Sequence, residues 1–122
     1  MPYRLTLVEQ PAYLHARVTG THSAPNILRF LEESYAACRE KGQSALLLEM
    51  SLSGPSLDPT TIFKIILERS QDASRLRKIA YVDPTPRDPE RMKFAETVAK
   101  NRGVNVRLFR ELEPAKAWMS SD

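Results

Sequence analysis

The sequence predicts a single α/β domain over residues 1–122, built on a five-stranded, mixed but mostly parallel sheet with four helices. Three observations carry that reading. Ala45 to Met50 is an apolar run without alternation, as expected of a central strand covered on both faces. A hydroxyl-rich loop follows it, and then a helix entered through Asp58-Pro59. Beyond that helix, short apolar strands alternate with amphipathic helices, and right-handed crossovers turn such a pattern into a parallel sheet.

The remaining elements follow in order. Tyr3, Leu5 and Leu7 alternate with Arg4 and Thr6, the two-residue period of a half-buried strand. After a break at Gln10-Pro11, a second strand runs from Tyr13 to Thr19. It puts Leu14, Ala16 and Val18 on one face, and His15 and Arg17 on the polar face. The short break predicts an antiparallel hairpin.

Ser23 to Lys41 reads as a helix. Ser23 caps it, Pro25 suits the first turn, and Gly42 ends it. Ile27, Leu28, Leu31, Tyr35 and Cys38 recur at helical spacing. The helix opened by Asp58-Pro59 is predicted over 59–69. Ile79 to Val82 forms the next buried strand. Asp88-Pro89 opens a third helix bearing Met92, Phe94, Ala95, Val98 and Ala99, stopped near Gly103. Val104, Val106 and Leu108 alternate with Asn105 and Arg107 in a last, edge strand. Glu113-Pro114 begins a terminal helix with Ala117, Trp118 and Met119.

Composition narrows the function classes. An apolar share of 42% and a charged share of 27% are those of an ordinary water-soluble globule. No window has the apolar length needed to span a bilayer. Met1-Pro2-Tyr3-Arg4 lacks the apolar core of a signal peptide, which predicts a cytoplasmic chain. Cys38 is the only cysteine, so neither an intrachain disulfide nor a thiolate metal cluster can form. Its place on a helical stripe predicts a buried, inert thiol.

The catalytic inventory is thin. His15 and His22 are the only histidines, and no His/Cys/Asp cluster has metal-ligand spacing. No nucleophile comes with a base and an orienting group. Gly20, Gly42, Gly54 and Gly103 never form a phosphate-cradling pattern. These features predict a non-enzymatic protein without a cofactor or metal. The net charge of +3 gathers in residues 69–122, where Arg75, Arg77 and Lys78, and then Arg87, Arg91 and Lys93, cluster. Acids interrupt that excess, and Phe94, Phe109 and Trp118 fall in apolar registers expected of core. Nucleic acid is therefore not the predicted partner.

One loop could carry chemistry. Ser51, Ser53, Ser56, Thr60 and Thr61 place hydroxyls around a helix N-terminus, where free amides and the helix dipole favour an anion or a covalent phosphate. Asp58-Pro59 is equally an ordinary helix start, since Asp88-Pro89 and Glu113-Pro114 have the same form.

Here a resemblance enters. Leu48-Glu49-Met50-Ser51, followed by Leu57-Asp58-Pro59-Thr60-Thr61-Ile62 and an apolar helix, resembles the STAS domain of anti-sigma-factor antagonists. Lys78-Ile79-Ala80-Tyr81-Val82-Asp83 and Pro114-Ala115-Lys116-Ala117-Trp118-Met119 resemble elements of the SpoIIAA-like branch. In phosphorylatable antagonists the helix opens with Asp, two hydroxyl residues and Gly, and the second hydroxyl accepts phosphate from a partner kinase. By position, Asp58 keeps the acid and Thr60 takes the acceptor place. Pro59 replaces the first hydroxyl and Thr61 the glycine, and both departures count against the switch. The candidate phospho-acceptor or anion-binding turn is thus Asp58, Thr60 and Thr61 with Ser53.

The resemblance implies a regulatory module that docks a protein partner, a kinase-like or anti-sigma-like regulator, through residues 51–67. Leu57, Ile62, Phe63, Ile66 and Leu67 are the expected apolar contacts, and a second copy of the chain in a homodimer could cover the same helix. The alternative is a carrier or sensor of a small apolar, lipid-like ligand held beneath that helix. The branch's similarity to lipid-carrier folds implies such a pocket.

Overall fold

The computed structural model describes residues 3–85 and 88–121. Its elements run β1 (Arg4–Glu9), β2 (Leu14–Thr21), α1 (Ala24–Lys41), β3 (Ala45–Ser53), α2 (Pro59–Ala73), β4 (Lys78–Val82), α3 (Pro89–Asn101), β5 (Val106–Phe109) and α4 (Leu112–Ser120). The five strands lie side by side in chain order. β1 pairs antiparallel with β2, and every later pair is parallel, as the hairpin and the helical crossovers predict. No helix among the described residues is long and apolar enough to cross a membrane.

Alternation along the strands sorts the core into two faces. Leu14, Ala16, Val18, Leu46, Leu48 and Ile79 face the layer made by α1, α2 and α3. Ala45, Leu47, Ala80 and Val82 face the other way and meet Ala115 and Met119 of α4. Covering both faces is why β3 needs no polar alternation.

Local sequence explains the helix ends. The Ser23 hydroxyl accepts from the Asn26 amide at 3.4 Å, and Gly42 takes the left-handed conformation that closes α1. Phe30, absent from the predicted stripe, is among the largest fully buried side chains. The helix predicted over 59–69 runs on to Ala73.

Several expectations change. α4 starts at Leu112 rather than at Glu113-Pro114; Glu111 takes the cap position without a side-chain bond, and Pro114 lies inside the first turn. Lys78 is not part of a basic surface. It is buried, its ammonium donates to Trp118 O (2.7 Å), Ser121 O (2.6 Å) and Ser121 Oγ (3.0 Å), and it lies 5.1 Å from the Trp118 ring. A cation on the last carbonyls of α4 satisfies groups that a helix end leaves unpaired. Arg87 of the second basic cluster lies outside the described residues. Phe94 is exposed rather than core, because Met92 and Ala95 turn the inner face of α3 elsewhere.

His15 is the clearest revision. It lies on the face predicted to be polar, yet it is buried between its neighbours Val8 and Leu47 on the flanking strands. Its Nε2 donates to Glu49 Oε1 at 2.9 Å, and Arg17 reaches the same oxygen at 3.3 Å. Burial raises the Glu49 carboxyl, but the bonds from His15 and Arg17 outweigh it and leave it below its ordinary value. Cys38 is fully buried as expected, and burial pushes its thiol up to about 11.

Candidate functional site

β3 delivers the chain to the C-terminal edge of the sheet, where Gly54 turns it with φ at 113° beside His22. A side chain at that φ would be strained, so glycine fits the turn. His22 holds the loop through Nδ1 and Pro55 O at 2.9 Å. Asp58 then caps α2, accepting from the Thr61 amide at 3.1 Å and from the Thr61 hydroxyl at 2.6 Å. The hydroxyl first, and then the amide, hold the Asp58 carboxyl below its ordinary value.

This geometry decides what the hydroxyl turn offers. Asp58 and Thr61 come together, and the carboxylate of Asp58 itself takes the Thr61 amide at the start of α2. Thr60 is exposed next to them. Ser53 stands apart, with its hydroxyl donating to Gly20 O at 3.4 Å. Ser56 belongs to a different contact: its hydroxyl accepts from the Asp88 amide at 3.2 Å. Arg91 adds a second tie, donating to Leu57 O at 3.3 Å and Ser56 O at 3.5 Å. The loop before α2 is thereby fastened to the first turn of α3.

The apolar candidates split into two sets. Leu57, Ile62 and Ile66 are half-buried and line a cavity beneath α2. Phe63 and Leu67 point outward, 38% and 44% exposed, one helical turn apart. Arg102 lies over the outer ring, 5.9 Å from the Phe63 centroid.

The cavity has a volume of about 170 Å³. Its cause is packing: α2 rests chiefly on α1 and α3 rather than on the sheet. Ala73 on α2, with Ala95 and Ala99 on α3, leaves room between the facing turns. Phe30, Leu31, Met50 and Val106 supply apolar wall from α1 and the sheet.

Sequence reading did not anticipate the polar end of this space. The Tyr35 and Tyr81 hydroxyls meet at 3.1 Å, one from α1 and one from β4. Burial first, then Tyr81 and Cys38, push the Tyr35 phenol well above its ordinary value, against the pull of Arg69. Burial raises Tyr81 too, although the bond from Tyr35 opposes it. Both phenols are therefore neutral at physiological pH. A usable signal existed. Tyr81 interrupts the apolar strand Ile79 to Val82 and Tyr35 sits on the apolar stripe of α1, and a buried tyrosine hydroxyl needs a partner.

Arg69 lines the same cavity, with its Nε donating to Leu28 O at 3.0 Å. Among the described residues, no group of three or more His, Cys, Asp or Glu side chains could hold a metal.

Comparisons with known proteins bear on the fold. No family model matches the chain, and no curated protein matches it in sequence. In structure it is similar to an uncharacterized protein of the DUF3478 family from Shewanella loihica PV-4, which has a SpoIIAA-like fold. The two share 15% identity, with 97% of this chain and 94% of the other aligned at a TM-score of 0.53. The five-stranded mixed sheet and four helices agree with that architecture, and the chain has a SpoIIAA-like fold.

Proposed function

We propose that the protein binds a small, largely apolar molecule in the cavity beneath α2, as a carrier or sensor without catalysis. The observation that carries this reading is the cavity itself. It is a half-open space of about 170 Å³ with an almost wholly apolar wall, and an apolar ligand would take that wall out of water. An apolar cavity of about 150 Å³ accommodates benzene, so the volume suits a single ring or a short chain. That size narrows the lipid-like class predicted from sequence.

Toluene is a direct probe. Titration should give saturable amide shifts at Tyr35, Ile66 and Ala95 and raise the melting temperature. Ala95→Leu, which fills the space, should remove both effects. Shifts confined to Phe63 and Phe94 on the outer side, or no saturation, would refute the reading.

A second reading rests on Phe63 and Leu67. Two large apolar side chains one turn apart on the outer face of α2 suit a regulatory protein partner, as predicted for the 51–67 segment. Phe63→Asp should then abolish partner capture and leave toluene binding intact. Capture that survives this change would exclude the outer face. Thr60, exposed at the start of α2, is the position matched to the phospho-acceptor, and neither reading depends on its phosphorylation.

A further inference from the structure

Resting on the cavity reading, we propose that the ligand carries a carboxylate on a small ring or short chain, bound by Tyr35, Tyr81 and Arg69. Counting hydrogens leads there. The two phenols share one hydrogen bond of 3.1 Å, which uses one of their two O–H hydrogens. The other has no acceptor among the described residues. Either phenol can be the donor, so the spare hydrogen lies on Tyr35, 4% exposed, or on half-buried Tyr81, and both side chains line the cavity.

Arg69 adds donors of the same kind. Its Nε is committed to Leu28 O, and its Nη groups have no partner among the described residues. It stands close enough for its charge to act on Tyr35.

The other charges in the wall are already tied. Arg91 holds Leu57 O and Ser56 O and lies 3.5 Å from Asp88. Glu96 accepts from the Leu108 amide at 3.4 Å and lies 3.9 Å from Lys100. Asp83 accepts from the Thr85 amide at 3.1 Å. What remains uncommitted is a hydroxyl hydrogen and a guanidinium edge, both donors.

An alcohol or ketone would satisfy the phenol and leave the guanidinium charge unanswered. A carboxylate accepts from both, and guanidinium–carboxylate geometry allows paired bonds. The apolar remainder of the cavity then takes the ring or chain.

Benzoate and toluene separate this proposal from the reading beneath it. Both are titrated into the wild type, into Arg69→Met and into the double variant Tyr35→Phe/Tyr81→Phe, with folding checked by thermal melts. Loss of a hydrogen bond to a charged group should weaken benzoate at least about tenfold in each variant. Toluene affinity should stay within about twofold, since a similar apolar shape remains. If the double variant fails to fold, Arg69→Met alone decides the matter. Benzoate that binds all variants equally, or fails to bind while toluene does, overturns the carboxylate and leaves the apolar cavity standing. If neither probe binds, both proposals fall.

Discussion

The two faces of the sheet are packed by different rules. On one, α4 lies directly on β3, β4 and β5 and seals Leu47, Ala80 and Val82 beneath Ala115 and Met119. Its buried cation, Lys78, finds three oxygens. On the other, α1 and α3 sit on the sheet while α2 bridges them, leaving a cavity with donors unspent. One face is closed by a single helix laid on the strands. The other is roofed by a helix that rests on other helices, and the cavity lies beneath that roof.

That contrast can be broken at several points. The largest effect should come from Lys78→Met, which removes the buried ammonium that ties β4 to Trp118 O, Ser121 O and Ser121 Oγ. A loss of about 2–3 kcal/mol is expected from urea denaturation. A change below about 0.5 kcal/mol would mean that the sealed face does not depend on this tie.

One substitution made on both faces gives the sharpest comparison. Ala115→Leu overfills the sealed face and should cost about 2 kcal/mol. Ala95→Leu enters the cavity and should stabilise the chain by about 1 kcal/mol. Equal penalties at the two sites would show that the faces are packed alike.

The smallest effect concerns Glu49, at the end of the sealed face that α4 does not cover. Its carboxyl is held below its ordinary value in the fold, so the unfolded chain binds that proton more readily. The stabilisation is complete above the unfolded value of about 4.5 and fades as pH falls through the lower folded value. The stability gap between wild type and Glu49→Gln should be constant from pH 6 to 8 and shrink below about pH 4. A gap that persists undiminished in acid would mean that the bonds from His15 and Arg17 contribute nothing.

Much of the fold was legible because it is written in local patterns. The unbroken apolar run of β3, the hairpin break at Gln10-Pro11 and the Asp58 cap each occupy a few consecutive residues. Pattern reading failed where a neighbour overrides the alternation. His15 looks polar-faced until Val8 and Leu47 cover it, and Phe94 looks like core until the turn of α3 is known. Glu113-Pro114 misplaced the start of α4 because proline is tolerated anywhere in a first turn.

The candidate site was half legible. Ile62 and Ile66 were singled out on one apolar helix and Leu57 in the loop before it, and the three line the cavity together. Tyr35 and Tyr81, 46 residues apart, meet only through the crossover. A cavity is set by what three helices fail to fill, and no window of sequence contains that shortfall.

The tie at Lys78 also makes this lysine a timekeeper. Its amine is enclosed by the final turn of α4 and is out of reach of acylating reagents while that turn is seated. The rate at which it becomes labelled, relative to exposed lysines such as Lys93, therefore measures how often the C-terminal helix lifts from the sheet.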